Sequence, residues 1–298
     1  MERWVVLITG SNGLVGSSFI ESIAGNGRFT LVCPSHEQMD VSDQESVKNV
    51  MNKYQPNAII NFAAHRNANT AEDQKGDYKS SAWMTNVLGA RYLAEMATKY
   101  QAHLVHVSTD MVFSGKKENQ GPYVEGDTPE NNPEDLSWYG YTKRRAENEI
   151  HLNTHHASIV RIGNVTKPTQ DPHLDYIGKI LWLYDQDCSI FENQFITLTH
   201  LGQLSLAILK LIEGEMSGIF HVASNDLVTP FQLAEYLVQK IRPGGREVKP
   251  SSIDDYLEKH PNRYLKFGGL KDQDTRSWLG MKPMSWREMA DDFINKAT

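Results

Sequence analysis

Short runs of consecutive apolar residues alternate with longer stretches in which apolar residues recur at helical spacing. The short runs predict β-strands at residues 4–8, 29–33, 58–62, 104–108 and 158–162. The stretches between them predict helices at about residues 14–24, 43–53, 82–100 and 139–152. Strands that are apolar throughout and separated by helices are typical of a parallel sheet with helices on both faces. The pattern therefore predicts an α/β, doubly wound fold.

The alternation becomes less regular after Gly163, and residues 167–173 are rich in proline and polar side chains. We therefore predict a first domain over residues 1–165, with a return of the chain to it around residues 202–242. Residues 166–298 are predicted to form mostly a second, smaller lobe.

Three helix starts carry capping signals. Ser42 and Ser285 each precede a glutamate by three residues, which is the spacing of a capping box. Thr229 stands before Pro230 and Gln232, which combines a cap, a first-turn proline and a reciprocal glutamine. These signals predict structure and carry no information about chemistry.

The first predicted strand runs into a glycine-rich turn with the pattern G-x-x-G-x-x-G, which then opens a helix. Glycine lets the chain turn tightly and approach a pyrophosphate, and the helix N-terminus offers free N–H groups to phosphates. We therefore predict a Rossmann-type dinucleotide site. The turn residues assigned to it are Gly10, Ser11, Asn12, Gly13, Leu14, Val15 and Gly16.

The end of the second predicted strand does not select between the two nicotinamide dinucleotides. An acidic residue for the adenosine ribose is expected about 20 residues after the glycine turn. The strand instead ends Cys33-Pro34-Ser35-His36, with neither Asp nor Arg. The predicted cofactor is NAD(H) or NADP(H).

A second group of residues predicts hydride-transfer chemistry. Thr109 follows the fourth predicted strand, while Tyr139 and Lys143 are spaced i, i+4 and so share one helical face. A phenol with a pKa of about 10 is a weak proton donor at neutral pH, and a nearby lysine cation should lower that pKa. We expect Tyr139 to exchange a proton with a carbonyl oxygen that Thr109 holds, and Lys143 also to bind the cofactor's ribose.

Two other patterns are interpreted as structural. Tyr236 and Lys240 repeat the Y-x-x-x-K spacing on a capped amphipathic helix, but no strand ending in hydroxyl residues precedes them. His103 and His106 lie on one predicted strand at a spacing that puts them on opposite faces, so no metal site is predicted there.

Composition limits the other function classes. With 30 Lys and Arg against 37 Asp and Glu, the net charge of −7 argues against nucleic acid or an anionic membrane as a partner. Cys33 and Cys188 cannot make a disulfide framework. No apolar stretch approaches the ~18–20 residues that span a bilayer, and no signal peptide is visible, so we expect a soluble, cytoplasmic protein.

With these motifs in place, the chain resembles the extended short-chain dehydrogenase/reductase family, and within it the dTDP-4-dehydrorhamnose reductase branch. The resemblance is carried by four blocks, TGSNGLVG at 9–16, NFAAH at 61–65, STDMVFSG at 108–115 and YGYTK at 139–143. It is firm over residues 4–165 and looser beyond them.

The resemblance implies roles for individual residues. Thr109, Tyr139 and Lys143 would be the catalytic triad. The implied cofactor contacts are Asp40 and Val41 at the adenine, Ala63, Ala64 and His65 along the ribose and diphosphate, and Asn86 on the following helix. The implied substrate contacts are Met111 and Phe113 beside the sugar and Asn164 at the diphosphate of the nucleotide sugar.

The expected function is NAD(P)H-dependent reduction of a 4-keto sugar nucleotide. A nucleotide-sugar epimerase, which would use the same triad, and a non-catalytic subunit resembling the β subunit of methionine adenosyltransferase remain as alternatives. A 4,6-dehydratase is disfavoured because Met111 stands where that enzyme needs an acidic residue. His65, Asn69 and Asn164 depart from the reductase pattern, so the identity of the sugar nucleotide stays open. A homodimer is possible, and the oligomeric state also stays open.

Overall fold

The computed structural model of the chain describes residues 3–167 and 175–297. The strands in these residues are β1 (Trp4–Thr9), β2 (Phe29–Val32), β3 (Ala58–Asn61), β4 (His103–Thr109), β5 (Ala157–Ile162), β6 (Asn164–Thr166), β7 (Ile190–Phe191), β8 (Leu198–His200), β9 (Gly218–Val222) and β10 (Pro250–Ser251). Six of them form a parallel sheet with the order β2-β1-β3-β4-β5-β9. The predicted α/β class is confirmed.

Helices separate the strands. They are α1 (Leu14–Ser22), α2 (Gln44–Tyr54), α3 (Ala68–Glu72), α4 (Ser81–Trp83), α5 (Gly89–Tyr100), α6 (Trp138–Asn153), α7 (Tyr176–Asp185), α8 (Leu201–Gly214), α9 (Pro230–Ile241), α10 (Ile253–Lys259), α11 (Gln273–Leu279) and α12 (Trp286–Ala297). None of the described helices combines the length and the apolar character that crossing a membrane requires.

Both faces of the large sheet are buried. Along β1, Val6 and Ile8 face a cluster that includes residues of α1 and α8. Leu7, between them, faces the opposite cluster with residues of α2, α5 and α6. This alternation is the two-residue period of a strand, and its burial on both sides explains why β1 is apolar from Trp4 to Ile8.

The order of the strands creates a crevice between β1 and β3. The chain passes from β1 to β2 on one side of the sheet and then returns to build β3, β4 and β5 on the other. Ligands of open α/β sheets bind at such a switch point, beyond the carboxyl ends of the strands. The glycine turn after β1 and residues 62–66 after β3 lie at that place.

The later part of the chain adds smaller sheets beside the large one. β6 pairs with β8, β7 pairs with β10, and both pairs are parallel. A separate apolar cluster, which includes Leu198, Leu233 and Trp286, packs the helices of this part. β9 joins the large sheet from within residues 202–242, where a return of the chain was expected, while the division into two domains stays a prediction.

Two of the three capping predictions are confirmed. Thr229 and Gln232 form a reciprocal capping box at the start of α9, and Ser285 and Glu288 do the same before α12. The prediction at Ser42 was wrong, because the neighbouring Asp43 caps α2. The Ser42 hydroxyl donates to Asp40 instead, at 2.7 Å.

The helix predicted over residues 82–100 is interrupted. It begins as α4, widens into a π-helical turn at Met84–Leu88 and continues as α5. A π turn of this kind often marks a functional site, and this one carries Thr85 and Asn86 beside the crevice.

Candidate active site

The glycine turn is built for close backbone approach. Gly10 has φ +65°, and a Cβ there would lie 2.7 Å from both Ala63 N and Phe62 C. A Cβ at Gly16 would collide with the Gly10 carbonyl oxygen. Gly13, the N-cap residue of α1, provides no side chain to cap the helix, so the first amides of α1 remain for another acceptor. The turn therefore fits the phosphates of a dinucleotide.

A cleft of about 330 Å³ lies in front of this turn. Its walls include the predicted residues Gly10, Ser11, Asn12, Gly13, Asp40, Val41, Ala63 and Ala64. The sequence reasoning missed Pro34, His36, Met39, Phe62, Arg66 and Thr85, which also line it. Arg66 directly follows the predicted His65, and Thr85 directly precedes the predicted Asn86. Their position next to predicted site residues was the signal in the sequence that could have indicated them.

Asn86 and His65 were predicted to contact the cofactor, but neither is among the residues that line the cleft. The Asn86 side chain accepts a hydrogen bond from His65 N at 2.8 Å and donates to Thr142 Oγ1 at 2.9 Å. The His65 ring is turned toward Thr70 Oγ1, at 2.9 Å. Asn86 thus ties the loop after β3 to α6, which shapes the cleft from behind.

Helix α6 brings Tyr139 to the end of β4. Ser137 caps the helix by accepting from Gly140 N at 3.1 Å. Gly140 lies against the Met111 carbonyl so closely that a Cβ would collide with it. This close packing places the Tyr139 phenol beside the Thr109 side chain, which acts to lower the pKa of the phenol. Thr109 and Tyr139 therefore meet as the sequence predicted.

The pKa of Tyr139 moves in the direction opposite to the expected one. Burial, and after it the carboxyl of Asp110, raise it to about 12, while the Thr109 side chain and the Arg66 cation act to lower it. Lys143 is not among these influences. The phenol is therefore held in its protonated form.

The position of the Lys143 amine explains why it does not lower the pKa of Tyr139. Nζ donates to the Val107 carbonyl at 2.7 Å and lies 2.9 Å from His106 Nε2. The side chain is 2% exposed. Burial lowers its pKa to about 8, against an opposing effect of Glu147. Tyr139 and Lys143 were predicted to share one face of the helix, but the Lys143 amine is directed at β4.

Asp110 is a buried acid beside the phenol. Its carboxylate accepts from Thr109 Oγ1 at 3.2 Å. Burial raises its pKa to about 6, although the hydrogen bonds it accepts act in the other direction. It was not among the predicted site residues, because nothing in the sequence shows that its side chain turns inward.

The predicted substrate residues have different surroundings. Phe113 is 1% exposed, and its ring stacks on Tyr123 with centroids 3.9 Å apart. Arg161 covers the Phe113 ring at 5.1 Å. Two neighbours thus enclose the Phe113 ring, and its contact with the sugar stays a prediction. Met111 and Asn164 are half-buried and stay candidates.

Tyr176, from the later part of the chain, lies near Asp110, with Lys179 and Tyr264 beside it, and sequence reasoning missed all three. Asp110 and Tyr264 both raise the pKa of Tyr176, after the larger effect of burial. Lys179 Nζ lies 6.0 Å from the Tyr176 ring centroid and 5.9 Å from that of Tyr264. This Tyr–Lys–Tyr group comes together only in the folded chain, so no local pattern could reveal it.

Within residues 3–167 and 175–297, no group of three or more His, Cys, Asp or Glu residues is arranged to hold a metal ion. His103 and His106 have separate partners, as their opposite faces predicted. His103 Nε2 lies 2.9 Å from Ser158 Oγ, whereas His106 contacts Asn61 and Lys143.

The fold and the site together define an NAD(P)-dependent oxidoreductase acting on a CH–OH or keto group. More narrowly, the chain belongs to the RmlD substrate binding domain family, whose model matches residues 4–298. It is 35% identical over 299 residues to a dTDP-4-dehydrorhamnose reductase of Aggregatibacter actinomycetemcomitans, covering 95% of each chain.

Other relatives have different names. A spore coat polysaccharide biosynthesis protein, SpsK, of Bacillus subtilis is 27% identical over 98% of this chain and 97% of its own. The β subunit of methionine adenosyltransferase 2 of Mus musculus is 28% identical over 77% of this chain and 70% of its own. The crystal structure of a Bacillus anthracis dTDP-4-dehydrorhamnose reductase with NADP superimposes with a TM-score of 0.84 over 99% of this chain and 100% of that one, at 22% identity.

Proposed function

We propose that this protein reduces the keto group of a 4-keto sugar nucleotide, with NADH or NADPH as the reductant and Tyr139 as the proton donor. The observation that carries the proposal is the position of the buried Tyr139 phenol beside the Thr109 side chain at the carboxyl end of β4. It lies next to the sheet's switch point, where a dinucleotide would place its reactive end.

The cofactor, when bound, supplies the hydride. The backbone of the glycine turn holds the phosphates, because its amides are free and no Cβ blocks the approach. Thr109 positions the substrate's carbonyl oxygen beside the phenol. Tyr139 then gives its proton to that oxygen, and its raised pKa keeps the phenol protonated at neutral pH until the substrate accepts the proton.

The substrate class is supported by two cations in the later part of the chain. Lys179 is half-buried, and no carboxylate pairs with it among the described residues. Arg263 contacts Asn69, a neutral side chain that leaves the guanidinium charge uncompensated. Arg263 precedes Tyr264 in sequence and Lys179 lies 5.9 Å from the Tyr264 ring, and two such cations favour an anion with several charges, such as the diphosphate of a nucleotide sugar.

Both NADH and NADPH are proposed as reductants. The end of β2 provides Pro34 and His36 to the cleft and no carboxylate that would repel a 2′-phosphate. The Bacillus anthracis reductase structure contains NADP. Glu37 follows His36 but does not line the cleft.

The test is a spectrophotometric assay of NADH and NADPH oxidation with dTDP-4-dehydrorhamnose and with UDP-linked 4-keto sugars. We expect oxidation of the nucleotide with at least one substrate and a reduced sugar as the product. Conversion to an epimer without net oxidation would identify an epimerase. Tight nucleotide binding without turnover on any substrate would favour the non-catalytic role of the methionine adenosyltransferase β subunit.

A further inference from the structure

A buried ion pair joins helix α6 to strand β5. Arg161 Nε donates to Glu147 Oε1 at 3.0 Å, and Arg161 Nη2 donates to Glu147 Oε2 at 2.9 Å, so the contact is bidentate. Glu147 is 0% exposed and Arg161 is 2% exposed. Because water cannot reach either group, separating the two would leave both charges buried and unpaired, which is strongly unfavourable.

The same carboxylate is also tied to strand β4. Ser108 Oγ donates to Glu147 Oε1 at 2.6 Å. Ser108 and Arg161 lie opposite each other in the pairing of β4 with β5, each as the last residue but one of its strand. Ser108 directly precedes Thr109. Glu147 therefore connects α6 to two neighbouring strands at the end of the sheet where the reaction site lies.

The surrounding charges keep the carboxylate ionised. Burial acts to raise the pKa of Glu147, but Arg161, the Ser108 hydrogen bond and Arg144 together hold this pKa below its usual range. Arg144 Nη1 lies 3.5 Å from Glu147 Oε2. Arg161 Nη1 has no hydrogen-bond partner within residues 3–167 and 175–297, so Glu147 alone fixes the Arg161 guanidinium by hydrogen bonds.

Glu147 shares one face of α6 with Tyr139, because the two residues are eight positions apart, about two turns. The apolar contacts of this helix, such as those of Ala146 and Ile150, are non-directional and tolerate a small slide or rotation. A bidentate pair between buried charges tolerates neither. Fixing the position of a packed helix is the best-attested role of buried polar groups.

We propose that Glu147 is a positioning residue whose contacts with Arg161 and Ser108 fix how α6 lies on β4 and β5, and thereby hold the Tyr139 phenol beside Thr109. The consequence for turnover rests on the proposed function, because proton transfer needs both side chains aligned on one oxygen. A misplacement of about 1 Å can lower a rate about a hundredfold. The position of the phenol itself can be measured without substrate.

The test replaces the buried contact with apolar groups in the variant Ser108→Ala/Glu147→Leu/Arg161→Met. Apolar replacement of a whole buried ion pair often leaves stability unchanged or raises it, so we expect the variant to fold. We expect kcat to fall about 10–100-fold, with KM and NADPH affinity unchanged. A purely structural role of the pair predicts the kcat of the unaltered protein once the variant is folded.

Glu149→Gln is the matched control on the same helix. Glu149 is half-buried and pairs with Arg145 of α6 itself, at 3.7 Å, so its charge does not connect the helix to the sheet. We expect this variant to keep the kcat, the KM and the NADPH affinity of the unaltered protein.

The pH dependence of kcat separates the position of the helix from the charge of Glu147. Glu147 also acts to raise the pKa of Lys143, so removing it lowers that pKa. A loss of activity caused by this change would disappear as the pH is lowered, whereas a displaced helix lowers kcat at every pH. A deficit that disappears at low pH would therefore overturn the proposal.

A measurement without turnover uses NMR of the protein labelled with ¹³Cζ-tyrosine. The Tyr139 signal is the one that is missing in Tyr139→Phe. We expect this signal to shift or broaden in the triple variant and to stay in place in Glu149→Gln, because the phenol loses its fixed position beside Thr109 only in the former.

An unaltered kcat in the folded triple variant would overturn the proposal. If that variant does not fold, Glu147→Gln is measured in the same ways, since its amide cannot accept from both nitrogens of Arg161, and the same results support or overturn the proposal. Absence of turnover in the unaltered protein would contradict the proposed function, and the Tyr139 signal would then decide, with an unmoved signal overturning the proposal.

Discussion

The cofactor side and the substrate side of the site are built in different ways. On the cofactor side the predicted contacts come mainly from the backbone of one glycine turn. Its residues, Gly10 to Gly16, lie within seven consecutive positions. On the substrate side, single side chains from distant segments converge, as Asp110, Tyr176 and Lys179 do. We expect the first arrangement to determine the class of ligand and the second to determine which member of that class is accepted.

The largest effect is expected on the cofactor side, from Gly10→Ala. The new Cβ would lie 2.7 Å from Ala63 N in a backbone conformation that alanine rarely adopts. A cost of about 3 kcal/mol corresponds to a loss in NADPH affinity of about a hundredfold. Calorimetric titration with NADPH measures it, with circular dichroism to confirm folding.

Gly27→Ala is the control for that variant, because a Cβ there meets nothing within 4 Å. It should bind NADPH like the unaltered protein. Unchanged affinity in Gly10→Ala would mean that the glycine turn does not hold the dinucleotide, and the distinction between the two sides would fail.

A smaller effect is expected from Asp110→Asn, on stability. Burial raises the pKa of Asp110 to about 6, so its contribution to stability is fully present below the unfolded pKa near 3.8 and is lost as the pH rises through 6. The difference in free energy of unfolding between the variant and the unaltered protein should grow in favour of the variant by about 2 kcal/mol from about pH 4.5 to about pH 7.5. Urea unfolding at both pH values measures this difference.

Asp73→Asn, at an exposed position after α3, is the matched control and should show no such gain. If Asp110→Asn also shows none, the carboxyl is ionised without cost, and its placement as a buried acid on the substrate side is wrong.

The substrate side is tested most selectively by Lys179→Gln. Removing one of two uncompensated cations should raise KM for the sugar nucleotide about tenfold, with a smaller effect on kcat and none on NADPH affinity. Steady-state kinetics at two salt concentrations measures the change. Lys240→Gln is the control, because Lys240 also lies over a tyrosine ring, at 5.4 Å from Tyr236, but far from the site.

An unchanged KM in Lys179→Gln would show that the diphosphate binds elsewhere. A loss of NADPH affinity of the same size would show instead that Lys179 serves the cofactor, which would remove the distinction between the two sides.

The features that sequence predicted well are those determined by neighbours along the chain. The five predicted strands, the glycine turn and the caps at Thr229 and Ser285 all depend on residues a few positions apart. The failure at Ser42 has the same origin, since two capping residues stand side by side and the local pattern cannot choose between Ser42 and Asp43.

The features that sequence could not predict depend on contacts between distant segments. Phe113 was predicted to border the sugar, but in the folded chain Tyr123 and Arg161 enclose its ring. Lys143 was expected to act on the phenol, but β4 provides His106 and the Val107 carbonyl as nearer partners. Burial and tertiary hydrogen bonds set both outcomes, and neither is encoded in spacing.

The central claim is that Tyr139 is the proton donor in a reduction, and Tyr139→Phe tests it most directly. We predict that this variant loses about 10²–10⁴-fold in kcat for the 4-keto sugar nucleotide and binds NADPH with unchanged affinity. Tyr141→Phe, two residues along the same helix and packed against Trp138, should keep full activity. Full turnover by Tyr139→Phe, measured beside that control, would contradict the account.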